Sequence, residues 1–393
     1  MDLLWQQAGI VFAVAFLVTY AMVPVSKRLA HVIGAIDYPG NRHIQTEPMP
    51  RCGGIALYAG FLAACFVIFL GMRFFGWRSV ELYTLEDVNY VLLFIGITAM
   101  FCVGIVDDIT QLRSAAKFVA QVVAALIVVV GGGVSIETIR LFQGDYFELG
   151  WLDVPISVLY LVVFVNITNL IDGLDGLAAG IIGIAAIGLL YLTIMRGSSV
   201  LALASVAVLA VCIAFLRFNF HPASIFMGDS GSHLLGLLIG IISISGVVRT
   251  QGLTLLLVPL IIVGIPLLDT TAAVVRRRHE HKPVGLGDAK HIHHQLLNQG
   301  IGQRRSVLVL WVASAAMMAS AAMMACGCFI GSSFGVVRWA LIAVLAVVFI
   351  VLVWKLGISG LVLQHHFDNR GKTGPRKPRE SADADSSDAH EGR

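Results

Sequence analysis

Residues 169–180 read NLIDGLDGLAAG, and apolar residues run up to this stretch (161–165) and away from it (181–190). Around it stand two asparagines, Asn166 and Asn169, and two carboxylates, Asp172 and Asp175. A charge at the middle of a membrane-spanning helix costs about 2.5–3.5 kcal/mol on insertion scales. Two carboxylates here therefore have either a use or a position away from the bilayer centre.

The rest of the chain is built for lipid. Of its 393 residues 58% are hydrophobic and 13% charged, with a mean hydropathy of +0.86, against roughly 25% charged in soluble chains. Eleven apolar runs come near the bilayer-spanning length of about 17–25 residues. They cover 4–24, 53–74, 90–106, 117–133, 153–170, 177–195, 199–217, 231–248, 252–275, 306–326 and 338–358. This predicts an all-α integral membrane protein with its termini on opposite sides. Cytoplasmic loops carry the excess of Lys and Arg. All but six of the 27 (Arg73, Arg78, Arg140, Arg196, Arg249 and Arg338) fall after odd-numbered spans or in the C-terminal tail. The expected orientation is N-terminus outside and C-terminus cytoplasmic.

The first span lacks a basic leader and a small-residue cleavage pattern, so it is expected to be retained. The six cysteines lie mostly in spans and outline no disulfide framework. A transmembrane domain over 1–358 is expected to be followed by a polar cytoplasmic tail, 359–393, too poor in apolar surface to fold.

Five polar clusters interrupt the apolar pattern: RHIQTEPMPRCGG (42–54), VGIVDD (103–108), NITNLIDGLDG (166–176), NFHPASIFMGDSGS (219–232) and PVGLGDAKHIHH (283–294). In the expected topology all five sit at cytoplasmic ends of spans, so the carboxylates need not lie at mid-membrane. Asp107 and Asp108 are adjacent and cannot point the same way from a helix, which assigns them different partners or simply an exit to water. Lys117 opens the next span, to bind phosphate or to snorkel. Asn166, Asn169, Asp172 and Asp175 step by three, so neighbours share a helix face while the set fans out. A bend at Gly173 and Gly176 would gather them. Their oxygens suit a hard cation such as Mg²⁺, or the donors of a nucleobase and ribose; an interhelical hydrogen-bond cluster is the bland alternative. Asp229 lies between small residues where backbone can approach a ligand, or else caps a helix. Asn219 precedes it on the same loop. His291, His293 and His294 read as a zinc site or, better, as a grip on phosphate beside Arg276, Arg277 and Arg278. A ring of carboxylates, amides and cations at the membrane surface points to phosphoryl transfer, where positioning and charge neutralisation dominate.

In this order, VDD, NxxNxxDGxDG, NxHPAxxFMGDxGS and HIHH resemble the polyprenyl-phosphate N-acetylhexosamine-1-phosphate transferase family, of the glycosyltransferase family 4 type. The resemblance runs from about Asp37 to Trp354. It implies transfer of a sugar-1-phosphate from a UDP-sugar to undecaprenyl phosphate, with release of UMP and a need for Mg²⁺ or Mn²⁺. It makes Asp229 the chief metal ligand and Asn169 a second. Asp107 and Asp108 would handle the lipid phosphate, and Asp229 completes the catalytic set. Asn166, Asn219, Asp172 and Asp175 would shape the nucleotide site, while Lys117, His291, His293 and His294 would meet phosphates. HIHH is similar to the branch using UDP-N-acetylglucosamine to start teichoic acid, O-antigen or related polymers. The muramoyl-pentapeptide branch typically carries three consecutive histidines and ten spans. KPVGLGDAK departs from the Ser-Pro-Phe pattern often found before the histidines. The implied setting is the bacterial plasma membrane, with the active site on its cytoplasmic face, membrane lipids as surroundings, no nucleic acid, and room for a homodimer.

The rival of another class is a secondary transporter, whose sites lie near the bilayer midplane, often between repeats. No repeat is visible here, and the polar clusters lie at span ends; Asp269, inside the ninth span, is the one exception.

Overall fold

The structure is a computed structural model that describes residues 2–39, 47–77, 88–140, 146–195, 197–248 and 302–329. Nine helices form the described bundle: α1 (Asp2–Ile33), α2 (Gly54–Phe74), α3 (Tyr90–Thr110), α4 (Ser114–Leu126), α5 (Asp153–Ile171), α6 (Leu177–Met195), α7 (Ser199–Asn219), α8 (Gly228–Ser243) and α9 (Gln303–Phe329). Among the described residues, eight helices are long and apolar enough to cross a membrane. In lipid a backbone must satisfy its polar groups internally, and a helix does so residue by residue. The chain is a multi-pass, mostly helical integral membrane protein.

The first eight expected spans are helices, and the tenth lies within α9. The ninth (252–275) and eleventh (338–358) fall outside the described residues, as does the tail. Helix ends differ from the hydropathy reading because polar residues end an apolar run without ending a helix. Thus α1 continues through Lys27 to Ile33, and α3 carries Asp107 and Asp108 in its last turn. The all-α expectation also needs a small correction. Two short antiparallel pairs, β1 (Ile36–Asp37) with β2 (Met49–Pro50) and β3 (Thr138–Arg140) with β4 (Tyr146–Glu148), tie down inter-helix loops.

The hub is α8, packed against α2, α3 and α5. Small residues let the backbones close in. A side chain at Gly54 would strike Ser230 and Gly231, and one at Gly240 would strike Leu161. Gly104 of α3 lies directly against the backbone of Asp229 and Ser230. Around this seam Phe164, Phe215, Leu57 and Met100 are fully buried in the main apolar core.

Candidate active site

The polar residues converge at one end of the bundle. Asp107 and Asp108 end α3, Lys117 opens α4, Asn169 ends α5, Asn219 ends α7 and Asp229 lies in the first turn of α8. Helices that alternate in direction bring these termini together, although the residues are far apart in sequence.

Asp229 is the centre. Its Oδ2 accepts a hydrogen bond from Lys117 Nζ at 2.7 Å, and the same ammonium reaches Asp107 Oδ2 at 2.8 Å. Asn169 donates through Nδ2 to Asp229 Oδ1 and, at 3.1 Å, to Ser232 Oγ. Asp229 does not cap α8. That task falls to Asp108, whose carboxylate accepts from the backbone N–H groups of Asp229 at 2.7 Å and Ser230 at 3.1 Å. Carboxylate charge at a helix N-terminus is favourable, and this one comes from another helix. The adjacent aspartates thus have different partners: Asp107 also accepts from the Leu112 N–H at 2.7 Å, whereas Asp108 takes Arg51 Nε at 3.3 Å.

Arg51 joins the site from the 42–54 cluster, where the sequence assigns it no individual role. Its Nη2 also lies 3.9 Å from Asp229 Oδ2. Burial works against its charge, but Asp108 and Asp229 outweigh burial and raise its pKa.

The four residues stepping by three are not gathered at one point. The helix stops at Ile171, as the glycines suggested, but the side chains part. Asn169 meets Asp229. Asn166 turns instead to Gln121 Oε1 at 2.9 Å and to its own helix at Val162 O, 2.8 Å away. Gln121 in turn touches the fully buried His233 at 3.1 Å. Asp175 pairs with His221 Nδ1 at 2.7 Å and accepts from the Ala223 N–H at 3.2 Å. Asp172 stays on the acidic side: burial, then repulsion from Asp229 and Asp108, push its carboxyl well above the usual range. Asn219, almost wholly buried, accepts from the Gly176 N–H at 3.0 Å and donates to Ile225 O at 2.9 Å, clamping two loops together. His291, His293 and His294 lie outside the described residues.

Gln121, His221 and His233 were also missed. A histidine within the apolar run of α8 was the one available signal, because a buried imidazole needs a polar partner.

The donor set fits a hard divalent cation. Asp107 and Asp229 both reach the same ammonium, so both can reach one small ion, and the Asn169 amide adjoins Asp229. Among the described residues, no three His, Cys, Asp or Glu side chains form a metal-binding group. An ion held here would therefore draw further ligands from phosphate and water, the usual arrangement for Mg²⁺.

Fold and site together define a multi-pass membrane protein with a cation-bridged acidic centre at one end of its bundle. The family model described as Glycosyl transferase family 4 matches residues 90–247, the segment from α3 through α8 that holds most of this centre. A probable undecaprenyl-phosphate N-acetylglucosaminyl 1-phosphate transferase of Bacillus subtilis is 38% identical over 307 residues, 77% of this chain and 81% of the relative. A decaprenyl-phosphate N-acetylglucosaminephosphotransferase of Mycobacterium tuberculosis is 30% identical, covering 78% of this chain and 80% of its own. A phospho-N-acetylmuramoyl-pentapeptide-transferase of Desulforudis audaxviator is 29% identical, covering 76% and 92%. The chain belongs to glycosyl transferase family 4.

Proposed function

We propose that this protein transfers N-acetylglucosamine-1-phosphate from UDP-N-acetylglucosamine to a polyprenyl phosphate, releasing UMP, as the first membrane step of a surface polymer such as teichoic acid or O-antigen. The observation that carries this reading is the Asp107–Lys117–Asp229 bridge where the helix ends converge at one end of the bundle. The relatives named for N-acetylglucosamine at 38% and 30% identity favour this sugar over the muramoyl-pentapeptide branch.

In the reaction an oxygen of the acceptor phosphate bonds to the sugar-bearing phosphorus of the donor. The bond from that phosphorus to the bridging oxygen breaks, and UMP leaves with that oxygen. The acceptor needs no strong base, because a phosphate monoester with a second pKa of about 6 is mostly ionised at neutral pH. Asp107 orients it, and Asp108 holds the α8 terminus so that Asp229 faces the reacting groups. Asp229 and Asn169, with Asp107 beside them, would hold Mg²⁺ or Mn²⁺, which supplies charge neutralisation at the diphosphate. Lys117 and the histidines of 291–294 meet phosphate oxygens. Asp172, Asp175 and Asn219 shape the nucleotide pocket, while Asn166, bonded to Gln121 and Val162, braces α5 behind it. Eleven spans, an outside N-terminus, a cytoplasmic tail and a cytoplasmic active site complete the reading, and the protein works alone or as a homodimer.

The test is an exchange assay on purified protein with labelled UDP-N-acetylglucosamine, undecaprenyl phosphate and Mg²⁺. Metal-dependent UMP release with a labelled lipid product is the expected result. Transfer from another UDP-hexosamine alone would change the sugar; no transfer from any donor would overturn the reading.

A further inference from the structure

Two cations face Asp229, and they are held differently. Lys117 sits at 2.7 and 2.8 Å between two carboxylates. Arg51 approaches Asp108 at 3.3 Å through Nε and Asp229 at 3.9 Å through Nη2. Charge-assisted N–H···O contacts ordinarily close to about 2.7–2.9 Å, so the guanidinium is loosely engaged. Its side chain remains 20% exposed, while that of Asp108 beneath it is 0% exposed. Of the two, Arg51 is the cation with donors to spare.

Its backbone, by contrast, is fixed. The Phe226 N–H donates to Pro50 O at 2.8 Å, the Gly53 N–H to Phe226 O at 3.0 Å, and the Gly54 N–H to Met227 O at 3.0 Å. The Arg51 N–H itself donates to Ala35 O at 3.0 Å. Residues 50–54 are thus zipped onto the segment that leads into Asp229. At Gly228 the φ of +73° and the closeness of the Arg51 carbonyl oxygen leave no room for a side chain. A rigid base with a loosely engaged planar fork is an arrangement suited to recognising phosphate in two-pronged fashion.

We infer that Arg51 is a donor-phosphate anchor: its guanidinium binds the diphosphate of the nucleotide sugar beside Asp229. This rests on the UDP-sugar reading above and adds a substrate-binding residue from a segment outside the α3–α8 region. Charge on the anchor matters less than its fork, since the fork makes two parallel hydrogen bonds and an ammonium does not.

The experiment compares the binding of UDP and of uridine to the parent, Arg51→Gln and Arg51→Lys, by titration calorimetry and, for weak binding, by saturation-transfer NMR. Each is run in Mg²⁺ and again in EDTA, so that a change in metal binding is separated from the anchor. Losing hydrogen bonds to a charged group weakens binding by about ten- to hundredfold. Arg51→Gln is expected to weaken UDP by that factor in both buffers and to leave uridine within about threefold. Arg51→Lys is expected to fall between the two, and it carries the test if Arg51→Gln does not fold. Equal loss of UDP and uridine would make Arg51 a prop for Asp108 and Asp229, which overturns the inference, as would no loss at all. A parent that binds neither compound overturns the donor reading itself, and the parent's titration shows which of the two has failed.

Discussion

Helices α1 and α8 are both long and apolar enough to span a bilayer, yet they occupy opposite environments. Along α1, Trp5, Leu17, Val25 and Val32 are exposed, with Val32 81% so. Along α8 every residue but one is buried, and the exception is Asp229. Over the stretches apolar enough to span, the enclosed helix is the more polar: it carries Ser230, Ser232 and His233, whereas from Ala8 to Val25 the exposed side chains of α1 are nearly all apolar. In water this would be inverted, with polar residues outside. In a bilayer the outer solvent is hydrocarbon, so polar groups go where protein can satisfy them. The α8 backbone is scaffold throughout, and its single opening is Asp229, the carboxylate proposed to hold the metal.

The substitution with the largest expected effect on this contrast is Asp229→Asn. It should lower transfer by about 10²–10³-fold or more while leaving the melting temperature near the parent's, because its side chain is partly exposed and Asp107 still pairs with Lys117. A loss of activity that merely tracks unfolding would remove Asp229 from the centre. The next effect is a matched pair of glycines. A side chain at Gly104 would strike Asp229 O and Ser230 N at 2.6 Å, whereas Gly9 on α1 has nothing within 4 Å. Thermal melts should show Gly104→Leu destabilised by about 1–3 kcal/mol and Gly9→Leu unchanged; equal melts would contradict the α3–α8 seam. Lys117→Met should separate charge from binding. Without the ammonium between Asp107 and Asp229, Mn²⁺ measured by electron paramagnetic resonance should bind on the order of tenfold more tightly, while transfer falls. Both moving down together would mean that Lys117 props the site instead of competing with a metal.

The smallest effect is read at Cys52, next to Arg51. Burial, then the charge of Asp108, push this thiol up to about 12, with Arg51 opposing. The thiolate is the reactive form, so maleimide labelling at Cys52 should be slow at neutral pH and accelerate as pH rises toward that value. Asp108→Asn should speed labelling a few-fold, a change visible by peptide mass spectrometry. An unchanged rate would show that Asp108 is too distant or too well neutralised to act on the thiol.

Much of the site was legible because chemistry that lipid disfavours stands out against an apolar background. Asp107, Asp108, Lys117, Asn169 and Asp229 were all conspicuous for that reason, and all meet at one end of the bundle. Arg51 was obscured because a basic residue at the start of a span also reads as a topological anchor. Asn166 was overread, because a step of three tells which residues neighbour one another on a helix but not which neighbouring helix they face. His233 and Gln121 passed unnoticed because each is a single polar residue whose partner lies 112 positions away.

Composition and spacing alone make this a polytopic helical membrane protein with its polar clusters at span ends. Hydrocarbon length and the cost of an unsatisfied backbone leave an apolar chain few other choices. Which ends meet is a matter of packing in three dimensions. Lys117 and Asp229 are likewise 112 residues apart, and Arg51 and Asp108 are 57 apart. Their distances depend on how closely glycines let α2 and α3 approach α8, and no local periodicity records that approach.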